Sequence, residues 1–196
     1  MCAVAVCVSA ANSCGDSNHV CTLDTNISTD TNWVDGNTYV LLQDINVTGA
    51  GTDLNIAPGA VIKPLVNRSL IAIDSGRIIA NGTADKNILF TSCKDQNTFA
   101  GSTNVDTSSI SGCSGAPAAG NYSTGIWVKS TAAMTTSDSF SYLKIIDSTI
   151  GIELDQTIGS IHDSNFMFAS DKGIYLTVAS GLNLYNNSFS NLTSAN

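Results

Sequence analysis

Residues 52–92 read TDLNIAPGAVIKPLVNRSLIAIDSGRIIANGTADKNILFTS, and the stretch contains its own echo. Ile56, Gly59, Val61 and Ile62 return seventeen positions later as Ile73, Gly76, Ile78 and Ile79. In each copy an alternating apolar strand runs into a glycine turn and leaves as a second short strand. A unit repeated at a spacing too short for a crossover helix stacks directly, coil upon coil. Gly59 and Gly76 supply the positive φ or close backbone approach of a tight corner, and Pro58, lacking an N–H, suits a corner better than a ladder. The pairs Leu54/Ile56, Ile71/Ile73 and Ile88/Phe90 are expected to face the interior. The alternative, a β-sandwich with two similar hairpins, leaves the in-register recurrence unexplained, and no helical period competes.

The same residues carry a family resemblance. Residues 53–63, 70–80, Gly82-Thr83-Ala84 and 87–92 resemble the motif "tLtIapGtvIkf … l.v..G.liA.GTa.npI.FTs" of right-handed parallel β-helix repeat proteins, the pectate-lyase-like β-solenoids. It resumes at Gly125-Ile126-Trp127-Val128 and in the Gly-Ile segments near the C-terminus. The resemblance implies an all-β, right-handed parallel β-helix. It implies little about activity, because polysaccharide-active enzymes, adhesins and structural surface proteins share these motifs.

The chain of 196 residues is long enough for one substantial core. Only 12% of residues are charged, with a single glutamate, Glu153, and a net charge of −8. The surface is therefore polar through Ser, Thr and Asn, which argues against nucleic acid as a partner. No stretch approaches eighteen apolar residues, so no membrane-spanning helix is expected. Six cysteines without metal-site spacing point to an oxidising, extracellular setting.

Residues 1–36 read as an N-terminal strand followed by a polar, cysteine-containing segment, and 37–196 as the β-helix body. The alternation through Ala3, Val4, Ala5, Val6, Cys7 and Val8 is that of a β-strand and is a poor match to a signal peptide, having no preceding Lys or Arg. Residues 94–123, rich in Gly, Ser, Thr and Asn, form a loop leaving the solenoid wall. Spacing pairs Cys93 with Cys113 across that loop, worth on the order of 3 kcal/mol in the chain-entropy account, and Cys14 with Cys21. Beyond Trp127 the repeat lengthens: Ile145, Ile146, Gly151, Ile152 and Leu154 return 22 positions later as Met167, Phe168, Gly173, Ile174 and Leu176. Asn165 and Asn187, also 22 apart, fit an asparagine ladder at one corner, or reflect nothing more than abundant asparagine.

Candidates for chemistry are few. Asp147, Asp155, Asp163 and Asp171 recur every eight residues, out of phase with a 22-residue coil, and read as turn-capping residues, with only Asp147 and Asp171 placed to approach each other. His162-Asp163-Ser164 has the letters of a triad, but consecutive strand residues point to opposite faces. No paired carboxylates stand out for glycoside hydrolysis. The expectation is a non-enzyme with no catalytic residue, no metal and no cofactor. Seven sequons, at Asn26, Asn46, Asn67, Asn81, Asn121, Asn186 and Asn191, exceed the roughly four that composition alone would yield. They suggest attached glycans.

These readings converge on an extracellular structural or surface protein, a glycosylated subunit that assembles with copies of itself through its solenoid ends into a filament or layer. The apolar strand of Met1, Cys2, Ala3, Val4, Ala5, Val6, Cys7 and Val8 is the expected assembly element. It would add to an uncapped C-terminal coil, with Cys2 or Cys7 free to bond another subunit. The alternatives are a carbohydrate-active or carbohydrate-binding β-helix, and a fragment of a larger adhesin.

Overall fold

The computed structural model describes residues 13–14, 19–96, 105–178 and 181–193. Residues 1–8, including the expected assembly strand and Cys2 and Cys7, lie outside the described residues. A short strand β1 (Ser13–Cys14) precedes the first coil, which holds β2 (Val20–Leu23) and β3 (Thr31–Trp33). The second coil is β4 (Thr38–Leu41), β5 (Ile45–Val47) and β6 (Asp53–Ile56), and the third is β7 (Val61–Pro64), β8 (Leu70–Ala72) and β9 (Arg77–Asn81). The fourth comprises β10 (Ile88–Phe90), β11 (Tyr122–Val128) and β12 (Ser139–Ser141), and the fifth β13 (Leu143–Ile146), β14 (Ser148–Leu154) and β15 (Ser160–His162). The sixth follows with β16 (Asn165–Met167), β17 (Lys172–Leu176) and β18 (Asn183–Tyr185), and β19 (Ser188–Ser190) opens a seventh.

These strands form three sheets along a parallel β-solenoid of about seven turns, with no helix among the described residues. The first sheet runs β1-β2-β4-β7-β10-β13-β16-β19, the second β5-β8-β11-β14-β17, and the third β3-β6-β9-β12-β15-β18. All neighbours pair in parallel except β1, which lies antiparallel on β2. Parallel pairing of this kind already begins at Val20.

The seventeen-residue echo is not the coil. Ile56 stands between Trp33 and Ala80, and Leu54 opposite Ile78, so one turn advances about 24 residues here. The two echoing units are different corners of the solenoid: β6 to β7 around Gly59, and β8 to β9 around Gly76. They look alike because each must do the same thing, end one short strand and redirect the next. The interior register of β8 also differs from expectation. Leu70 and Ala72 join the core, whereas Ile71 faces outward opposite Trp127. Period-two alternation allows only one of these sets inside. Left-handed backbone at Asp74 (φ 48°) and Ser75 (φ 68°) then turns the chain just after Ile73. At the second corner Gly59 has φ 89°, whereas Gly76 serves through space, its Cα packed against the Val47 carbonyl.

The later coils show how the interior is filled. Ile126, Ile152 and Ile174 stack in register, as do Ile145, Phe166 and Phe189. The Phe166 and Phe189 rings lie 5.1 Å apart and nearly parallel. Opposite them Gly125, Gly151 and Gly173 form a column with ordinary φ values. A Cβ on Gly151 would stand 2.6 Å from Phe166 Cδ1, and one on Gly173 2.5 Å from Phe189 Cδ1. These glycines make room for rings; they do not make turns. The register of the ring stack also excludes the asparagine ladder. Asn165 faces Ser188, while Asn187 sits at the corner, accepting from the Ser164 N–H at 3.1 Å and donating to the Ile161 carbonyl at 2.8 Å.

Corners are built from left-handed residues that are not glycine. Tyr142, Asp163 and Asn186 precede β13, β16 and β19, and Asp147, Phe168 and Asn191 follow them, all with φ between 50° and 65°. Asp and Asn accept this region most readily among residues with a Cβ, which accounts for Asp147 and Asp163 as corner residues; Asp155 and Asp171 of the same series do not take it. Replacement of Gly151 by Ala should destabilise the fold by about 1–3 kcal/mol through overpacking against Phe166. Chemical denaturation of the variant beside the parent chain measures it.

Candidate functional site

The loop after β10 folds back onto the outer surface of the first sheet. Cys93 and Cys113 are joined by a disulfide across it, with Cα atoms 4.9 Å apart, and both are buried with Val40 against Leu65 and Ile110. Cys21 is also disulfide-bonded. Cys14 opposes it in the β1–β2 register, but the Cys14 side chain lies outside the described residues.

Under the loop sits a fully buried lysine. Lys63 points outward from β7, and its ammonium donates to the Asp95 carbonyl at 2.7 Å, the Val105 carbonyl at 2.8 Å and Thr107 Oγ1 at 3.3 Å. Three donors meet three oxygens, which is what makes a buried ammonium tolerable. Burial still draws its pKa down to about 8. Lys63 thus fastens the loop to the sheet at the point where the disulfide also holds it.

Next to this anchor is a cavity of about 330 Å³, lined by Asp95, Pro117, Ala118, Ala119, Ile146, Asp147, Met167 and Phe168. Two carboxylates share it. Asp95 is 1% exposed and accepts the Thr91 hydroxyl hydrogen at 2.8 Å. Asp147 is 6% exposed and held at the left-handed corner after β13. Burial, together with the charge of Asp95, raises its pKa to about 6, and a hydrogen bond with Thr91 opposes the rise. The sequence pattern offers Asp147 only as one of four corner aspartates. Its partner is Asp95, brought there by the docked loop, and not Asp171, which ion-pairs with Lys172.

A second cluster lies on the outer face of the second sheet. Trp127, Glu153 and Tyr175 occupy one register row on three successive coils, with Ile71 before them. The indole N–H donates to Asp155 at 3.0 Å, and the Lys129 ammonium lies over the ring. Burial first, and Asp155 second, raise the Glu153 pKa.

On the third sheet His162 Nδ1 lies 2.7 Å from Asp163 Oδ2, against the expectation that neighbours must face apart. The left-handed backbone of Asp163 (φ 53°) swings its carboxylate round to the ring. Ser164 does not complete a triad, because its hydroxyl donates to the His162 carbonyl at 2.9 Å. The imidazole instead stacks on Tyr185, 4.6 Å away. Of the sequons, Asn26, Asn67, Asn81, Asn186 and Asn191 are exposed, and Asn46 and Asn121 are half-buried. No group of three or more metal-binding side chains occurs among the described residues, and no described helix is long and apolar enough to cross a membrane.

The two ends of the solenoid differ. In the first coil Cys21, Leu23, Ile27 and Trp33 are all buried, whereas Leu184, Tyr185 and Phe189 of the last coil are each 48% exposed. No family model, curated protein or solved structure matches the chain.

The charge state of Asp147 bears on stability near neutral pH. Because the folded chain holds its proton more tightly than the unfolded chain, Asp147 adds stability below its ordinary value of 3.8 and withdraws it as the pH rises through about 6. Asn suits the left-handed corner and carries no charge. Asp147→Asn is therefore expected to be more stable than the parent by about 1–2 kcal/mol at neutral pH, and equal to it in acid. Urea unfolding of both proteins across this range gives the answer.

Proposed function

We propose that this is an extracellular structural protein, glycosylated on its outer surfaces, that works by joining other copies through the face of its last coil and not by turning over a substrate. The observation carrying this reading is the apolar layer of Leu184 and Phe189 on the last described coil, each 48% exposed. Everywhere else along the solenoid such residues are covered by the next coil: Leu184 itself covers Ile161, and Phe189 covers Phe166. Each buried large apolar side chain contributes about 1.5–3 kcal/mol, so a coil laid on this face is favoured by several of them at once. The edges of β17, β18 and β19 also offer unpaired backbone groups, which a neighbouring strand would satisfy. Residues 173–193 carry no Asp, Glu, Lys or Arg, so copies of a chain with net charge −8 meet there without like-charge contact.

Light scattering with size exclusion tests the association. The chain should form concentration-dependent oligomers, and Leu184→Ser with Phe189→Ser should remain monomeric while keeping its β spectrum. A parent chain that stays monomeric at high concentration would remove the reading. Expression through a eukaryotic secretory pathway should add glycan mass at several of the seven sequons, and a bare intact mass would end the glycoprotein part of it.

A second reading, carbohydrate binding, is favoured by the Trp127–Glu153–Tyr175 row, where aromatic and carboxylate side chains alternate along the solenoid axis. Affinity electrophoresis in polysaccharide gels, with Tyr175→Ala as control, separates it from the first.

A further inference from the structure

The cavity between the docked loop and the first sheet holds two buried carboxylates that meet the same hydroxyl, that of Thr91. Thr91 has a single hydroxyl hydrogen, and its geometry gives that hydrogen to Asp95 Oδ2 at 2.8 Å. Asp147 also lies in hydrogen-bonding contact with Thr91. That contact favours the ionised carboxylate, but a hydroxyl has one hydrogen, so Thr91 cannot serve both carboxylates at once. While Thr91 donates to Asp95, Asp147 does without that hydrogen. A carboxylate 6% exposed that must share its donor is costly, and the cavity beside it is the place from which a further donor can come.

Other charged and titratable groups lie around the pair. Lys63 directs its three donors to Asp95 O, Val105 O and Thr107 Oγ1. Lys144, on β13, is drawn toward Asp95. Tyr122, beneath the corner, feels Asp147 only as a charge that opposes its own ionisation.

The walls decide what kind of donor fits. Ile146, Met167, Phe168 and Pro117 are apolar, and only the Asp95–Asp147 end is polar. A calcium ion takes six to eight oxygens, far more than two carboxylates supply, and its hydration water would face hydrocarbon. An ammonium group instead brings several N–H donors, one charge, and room for an attached apolar body to lie against the walls. We propose that this cavity is a binding site for an organic ammonium ligand, with the cationic head between Asp95 and Asp147 and the apolar body against Ile146, Met167 and Phe168.

Benzylammonium is the probe and benzyl alcohol its uncharged control. By calorimetry or NMR titration near pH 7.5, benzylammonium should bind the whole chain saturably and benzyl alcohol should not. Asp147→Asn should weaken binding by about tenfold or more, since a charge-assisted contact is lost. Acidification to about pH 5, where the probe stays charged and Asp147 takes up its proton, should weaken it likewise. Absence of saturable binding, equal binding of the alcohol, or insensitivity to both Asp147→Asn and pH would each overturn the proposal. So would calcium competing at the same site. The pH and alcohol arms use the unmodified chain, so the outcome does not depend on how a variant folds.

Discussion

Every strand in this molecule is three to seven residues long apart from β1, and none satisfies its own backbone. The N–H and C=O groups of each coil are met by the coils before and after it, so the parallel ladder between coils is the interaction on which all else rests. Leu54 on Ile78, Ile126 on Ile152 and Phe166 on Phe189 are consequences of that ladder. Once the backbones are in register, like side chains fall upon like. Packing then refines the stack, as where the column Gly125, Gly151 and Gly173 leaves space for the rings opposite.

A triangular coil also needs sharp corners, and these set where chemistry can occur. The residues that turn the chain, Asp147 and Asp163 among them, have left-handed backbones that aim their side chains away from the strand alternation. Asp163 thereby reaches His162, and Asp147 the space under the loop. The loop is held from two directions, by a covalent bridge at Cys93–Cys113 and by the buried Lys63 ammonium. Both Lys63 and Asp147 are less stable as ions here than in water, since burial opposes charge in each. The cavity is thus maintained against an electrostatic cost by the apolar stack beneath it.

The described core is aliphatic and aromatic from Leu23 to Phe166. What the described solenoid offers to other molecules is its walls and, on the proposed reading, the face of its last described coil. The walls carry polar rows, the loop-covered cavity and the sequon asparagines, while the last coil presents the same apolar layer that elsewhere joins coil to coil. A structural role and a small-ligand site are compatible on such a scaffold, because they use separate surfaces.

From sequence alone, the fold class was legible because β-solenoids repeat a local rule. Alternating apolar residues, Gly59 at a corner and the 22-residue return of Ile152 as Ile174 all report short-range geometry. The excursion of the chain after Phe90, and the cysteines at its ends, were legible for the same reason. The coil length near Gly59 was not, because adjacent corners use similar residues and mimic a shorter repeat; only pairing across coils distinguishes Ile73 from Ala80 as the residue beside Ile56. Nor was the cavity. Thr91, Asp95 and Asp147 are unremarkable polar residues in a chain rich in them, and their meeting depends on where a long loop comes to rest. That was decided by the apolar outer face of the first sheet and by Lys63, whose charge could be buried only if the loop brought carbonyl oxygens to it.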